Sequence, residues 1–269
     1  MTRFLSVRLL CILLVAVFLG CSQPNGGVLH VYAGGFNQPT NDSGTAVPGY
    51  WLDGNWNALT PPAGSVGSKV NSLVVSGAHV YAGGYSTDSS LSGLAGYWLD
   101  GTWNALSGGE SVNSLVVSGT HVFAGGSSQL GDAGYWLDGT WNALPSAGST
   151  KSEVLSLVVS GTHVYAGGYR SRFSRGYDGM PSSSVVPGYW LDGTWNALTP
   201  PAGSTYAEVK SLVVSGTHVY AGGYCEKEGI LVTGMDSVWA PGYWLDGTWN
   251  GLTPLNASQY SEVRSLVVQ

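Results

Sequence analysis

The chain has 269 residues, of which 10% are charged and 41 are glycine, with a formal net charge of −6. A hydrophobic content of 43% excludes a disordered chain, and the acidic balance excludes nucleic acid or an anionic membrane surface as a partner. Three cysteines, two of them within the first 21 residues, exclude both a disulfide framework and a cysteine zinc cluster.

In chain order, Met1 to Gly20 reads as a targeting segment. Arg3 and Arg8 form a basic start, and the apolar run from Leu9 to Leu19 is too short to span a bilayer. Phe18-Leu19-Gly20-Cys21 resembles a bacterial lipobox, which implies cleavage before Cys21 and lipidation of that cysteine. The opposing reading is an ordinary secretory signal with an incidental Cys21. Residues 21–27 then form a polar, lipidated tether. Removing Arg3 and Arg8 leaves 8 basic residues against 16 acidic ones, a charge of about −8. Ser22 after the lipidated cysteine favours an outer membrane or surface location over the inner membrane.

From residue 28 the chain is repetitive, and the repeat decides the fold. Gly-Tyr-Trp-Leu-Asp-Gly-Thr-Trp-Asn-Ala-Leu occurs five times, starting at Gly49, Gly96, Gly134, Gly188 and Gly242, with Asn55 and Gly251 as its two substitutions. Asp-Gly between aromatic runs predicts a type I′ hairpin that sets Trp51 opposite Trp56, and likewise in each copy. Ten of the eleven tryptophans are used this way. A second hairpin precedes it, Ser114 to Gly126 being typical, with Ser118-Gly119 expected as its turn. That turn sets each histidine opposite a valine such as Val74. The histidines at 30, 79, 121, 163 and 218 mark the period.

Four short strands per period predict an all-β, five-bladed β-propeller over 28–269, with four antiparallel strands per blade. Val28–Gly35 is a second strand lacking a first, and Val263–Gln269 is a first strand lacking a second. Pairing these two closes the ring and removes its exposed edges.

The strand order resembles the kelch repeat of the galactose oxidase/kelch-type superfamily. Val80-Tyr81-Ala82-Gly83-Gly84, Tyr97 and Trp103-Asn104-Ala105-Leu106 occupy the kelch places. Ala82 stands where kelch has a large residue, the Asp100-Gly101 turn is tighter, and kelch propellers have six or seven blades. The resemblance implies a fold and no particular activity.

The Asp-Gly and Ser-Gly turns lie on one face, and the variable connections lie on the other. From Gly-Gly to Gly-Tyr-Trp these run 13, 11, 7, 19 and 18 residues. The two long ones carry the candidate ligand-binding residues Arg170, Arg172, Arg175, Tyr177, Asp178 and Trp239. Arginines so grouped suit a carboxylate or sulfate. Trp239 suits stacking on a sugar or pinning its own loop. At the expected channel mouth, Glu153, Glu208 and Glu262 share a repeat position, with Lys210 and Arg264 two residues further on. A salt-bridge ring between blades is the economical account, against a cation site or a glycosidase pair. The repeated histidines read as structural, not as metal ligands.

No cofactor, metal or catalytic residue is expected. The sequence therefore points to a lipid-anchored, non-catalytic, monomeric envelope propeller that contacts a protein or glycan through its long-loop face. A five-site lectin built on the repeated hairpins is the alternative, and a glycosidase is the third reading.

Overall fold

The Asp-Gly of each of the five tryptophan hairpins takes positive φ at both residues, for example 49° at Asp100 and 86° at Gly101, as a type I′ turn requires. The second hairpin turns one residue later than expected. Ser76 faces His79 across Gly77-Ala78, and only Gly77 has positive φ, at 61°. Glycine at the first central position makes this a type II′ turn. His79, His121, His163 and His218 therefore each face a serine, and the expected pairing with a valine such as Val74 is replaced by a register one residue over.

The computed structural model describes residues 14–15, 29–38, 45–175, 181–231, 234–254 and 260–269. They form an all-β, five-bladed propeller, each blade a four-stranded antiparallel sheet. Blade 1 contains β1 (Leu14–Val15), β2 (Tyr32–Asn37), β3 (Val47–Leu52) and β4 (Asn55–Ala58). Blade 2 contains β5 (Gly67–Ser76), β6 (His79–Thr87), β7 (Gly93–Leu99) and β8 (Thr102–Ala105). In blade 3 these are β9 (Gly109–Ser118), β10 (His121–Ser128), β11 (Ala133–Leu137) and β12 (Thr140–Ala143). Blade 4 has β13 (Lys151–Ser160), β14 (His163–Arg175), β15 (Pro181–Leu191) and β16 (Thr194–Ala197). Blade 5 has β17 (Ser204–Ser215), β18 (His218–Leu231), β19 (Gly234–Leu245) and β20 (Thr248–Gly251). The first strands β5, β9, β13 and β17 touch one another in sequence, which makes them the inner strands.

Ring closure differs from expectation. The first-strand neighbour of β2 is β1, with Leu14 opposite Gly34 and Val15 opposite Ala33. Residues 263–269 lie along blade 5 but belong to no strand. Two apolar, strand-favouring segments compete for one edge, and the one nearer in sequence to β2 holds it.

Blades join through the tryptophan hairpin. In the pairs Trp98–Trp103, Trp136–Trp141, Trp190–Trp195 and Trp244–Trp249 the indoles lie 4.4–4.5 Å apart. The first of each pair is at most 1% exposed. Its Nε1–H donates to a carbonyl of the preceding blade's exit, Thr60, Ser107, Pro145 and Thr199 in turn. The second tryptophan closes over the backbone of the hairpin's own glycine. A Cβ on Gly96 would sit 2.3 Å from Trp103.

Gly83-Gly84 has two separate reasons to lack side chains. A Cβ on Gly83 would meet Leu115 of the next blade at 2.6 Å, and one on Gly84 would lie 1.9 Å from the Lys69 carbonyl. The second contact arises from a β-bulge at Asn71, where Val70 faces Gly84 but Ser72 faces Gly83. Serines complete the seams: Ser72, Ser114, Ser156 and Ser211 Oγ accept from the N–H of Leu115, Leu157, Leu212 and Leu266 in the following repeat.

Replacing Trp136 with alanine should cost about 3–5 kcal/mol, as for a large buried aromatic. Replacing its half-buried partner Trp141 should cost clearly less. Denaturant unfolding of the two variants measures the difference.

Candidate functional site

The two long connections are built as ladder extensions, not as open loops. In blade 4 the pairing of β14 with β15 continues past Tyr169–Pro187 to Arg175–Pro181. In blade 5 the pairing of β18 with β19 continues past Tyr224–Pro241 to Leu231–Gly234. Two β-ribbon arms thus rise from adjacent blades on the face opposite the Asp-Gly turns.

Arg170 stands at the foot of the first arm and is 9% exposed. Its Nη2 donates to the Pro145 carbonyl at 2.8 Å, the same oxygen that accepts from Trp190, and its guanidinium lies 4.8 Å over the Trp195 ring. Arg170, Trp195, Ser146, Ser149, Ser184 and Val186 line a cavity of about 310 Å³. Arg172 and Arg175 lie further along the arm, paired with Ser184 and Pro181, and their side chains lie outside the described residues. Tyr177, Asp178 and Cys21 also lie outside the described residues.

Trp239 is stacked on Tyr224 at 4.3 Å and meets Tyr260 edge-on at 5.4 Å. Of the two roles the sequence offered, this packing favours pinning the base of the second arm. Cys225 beside it is buried among Ala207, Val209 and Trp244. Burial pushes its thiol up to about 12, which makes it an inert core group, not a reactive one.

The channel-mouth residues converge, but not as a ring of salt bridges between blades. Glu208 pairs with Lys210, Glu262 with Arg264, and Glu153 lies 3.9 Å from Lys151, each pair two residues apart on one chain segment. Links between blades come instead from asparagines. Asn71 Nδ2 donates to the Val112 carbonyl, and Asn113 Nδ2 to both Glu153 Oε1 and the Val154 carbonyl.

Three tyrosines complete the mouth. Tyr169 donates to Glu153 Oε2 at 2.9 Å, Tyr206 donates to Glu208, and Tyr206 stacks on Tyr224 at 6.0 Å. Burial first, and then the neighbouring carboxylates, hold all three phenols well above the ordinary tyrosine range. Among the described residues, no group of three or more His, Cys, Asp or Glu is arranged to hold a metal ion.

On the opposite rim, sequence reasoning missed a pairing repeated five times. The Nδ1–H of His30, His79, His121, His163 and His218 donates to the turn aspartate of the same blade at 2.6–2.7 Å. The other carboxylate oxygen accepts from the N–H of the following valine, as Val80 does to Asp100. These bonds lower all five aspartate pKa values. The histidine bond is the larger cause at four of them and the valine bond at Asp100. The signal was available, since each repeat carries one histidine and one Trp-Leu-Asp-Gly.

No protein-family model matches the chain, and no curated protein matches it.

Two pH limits follow. The lowered aspartates contribute stability that is present above their unfolded pKa and lost as pH falls below about 4. The raised tyrosines contribute stability that is present below about pH 10 and lost above it, as the unfolded chain ionises first. Thermal midpoints measured across pH should therefore fall below about pH 4 and fall again above about pH 10. Tyr206→Phe should blunt the alkaline fall.

Proposed function

We propose that the protein is a non-catalytic binding propeller, lipid-anchored in a bacterial cell envelope through Cys21, that engages a protein or glycan with the arms of blades 4 and 5. The observation that carries this reading is the pair of ribbon arms, on a face where the other three blades have shorter connections. Variable connections carried on a fixed scaffold are how binding surfaces are commonly made. The cavity at Arg170 adds a cationic, aromatic and hydroxyl-lined recess beside the first arm.

The repeated hairpins support the lectin alternative poorly. Asp100 is engaged by His79 and Val80, and Asn104 Nδ2 donates to the Thr102 carbonyl within its own hairpin. The other copies repeat both arrangements. A glycosidase is supported less still, because Glu208 is held by Lys210 and Tyr206 and is only 6% exposed. The Gly-Gly, Tyr and Trp-x-x-Leu order supports a kelch-like origin for the blades. The lipobox-like Phe18-Leu19-Gly20-Cys21 supports the anchor.

Two shortened variants test the arms. One replaces residues 172–184 with a two-residue turn, and the other replaces 228–237 while leaving Trp239 packed. Both should keep the thermal midpoint within a few degrees of the parent protein. On arrays of glycans and envelope proteins they should lose one-to-one binding. Unchanged binding at a stoichiometry near five would instead identify the lectin.

A further inference from the structure

Four of the five seams between blades are sealed, and they set a standard for the fifth. Leu59, Leu106, Leu144 and Leu198 each leave their blade into the next seam and are 4–5% exposed. Leu252, the same residue of blade 5, is 45% exposed. Trp98, Trp136, Trp190 and Trp244 are buried, whereas Trp51 is half-buried. Val31 is 62% exposed and Val267 72%, where their counterparts in the other blades are half-buried.

Residues 263–266 already occupy the blade 5 side of this seam. Val263 N–H donates to the Gly223 carbonyl, Leu266 N–H donates to Ser211 Oγ, and both side chains cover Gly222. The repeat fixes how this segment would pair on its other side. Leu73 faces Ala82 and Ser72 faces Gly83 in blade 2, so Leu266 belongs opposite Ala33 and Ser265 opposite Gly34. Those two residues are the ones that Val15 and Leu14 hold. A strand edge takes one partner at a time, so the two pairings exclude each other.

We propose that Leu14–Val15 acts as a temporary first strand of blade 1, and that removal of the N-terminal segment lets Val263–Gln269 take its place and seal the ring. This rests on the reading of residues 1–20 as a cleaved signal. The exchange replaces a two-residue pairing with a full strand in the register of the other blades. It sets Val268 opposite Val31, brings Ser265 Oγ to the Leu73 N–H, and draws Leu252, Val263 and Leu266 around Trp51. The precursor thus stays unsealed until it is processed.

A cysteine pair reads the exchange directly. Val31→Cys with Val268→Cys places two thiols at a close cross-strand position of the sealed ring, equivalent to Val75 and Val80. The pair is introduced, with Cys11→Ser and Cys21→Ser, into the full chain, and also into the chain starting at Ser22. Under mild oxidation the shorter chain should form the 31–268 disulfide within the monomer, and the full chain should remain largely reduced. Trp51 emission should shift to the blue, and the Tyr32–Gly35 amides should exchange more slowly, in the shorter chain alone. Equal disulfide formation in both chains, formation in neither, or a disulfide-linked dimer each overturns the proposal. The N-terminal mass of the exported protein checks the cleavage separately. A sealed Ser22 chain beside an uncleaved exported protein would overturn the signal reading while leaving the competition for β2 intact.

Discussion

The assembly of this molecule depends on one buried indole in each of blades 2 to 5 reaching across to its neighbour. Trp136 donates its Nε1–H to the Ser107 carbonyl while its ring packs with Leu106 and Val112. One side chain thereby provides the apolar mass of the seam and satisfies a backbone oxygen that the seam would otherwise bury unpaired. The surrounding sequence is arranged to let it in. The Asp-Gly turn places its partner tryptophan against it, the hairpin glycine makes room for that partner, and the Gly-Gly pair removes side chains where the next blade's leucine and the bulged carbonyl approach.

The division of labour between the faces follows from the same arrangement. The Asp-Gly rim is fixed because a type I′ turn, a His–Asp bond and a Val N–H bond converge on each aspartate. Any change there disturbs three local interactions at once. The opposite rim carries the exits that accept from the indoles, and only the carbonyl is required of them. Side chains there are free to vary, which is how Arg170 can stand where blades 2, 3 and 5 have Ser86, Ser128 and Cys225.

What the sequence made legible was whatever is local and periodic. The Asp-Gly turn, the tryptophan pairs and the count of blades all follow from spacing within one repeat. The His–Asp bond was missed because it joins the start of a second strand to a turn some 17–29 residues later. Only the folded blade brings the two together. The bulge at Asn71 was hidden too, since an extra residue changes the partner of every side chain before it. The arms read as loops because Arg170–Arg175 and Cys225–Leu231 lack the alternation of a half-buried strand. The ladder there extends an existing pair and needs no apolar face of its own.

The near-identity of the five hairpins has a cost during folding. A strand that fits its own blade fits its neighbour's almost as well, and tandem copies of one sequence are prone to exchanging equivalent strands. The residues that differ between copies are therefore more than decoration. Arg170 needs the Pro145 carbonyl and the Trp195 face, Cys225 needs the small Ala207 opposite it, and Tyr206 needs Glu208 and Tyr224. Each fits in one blade only. These irregularities act as address labels, giving an otherwise interchangeable set of strands a single order in which all of them can be satisfied.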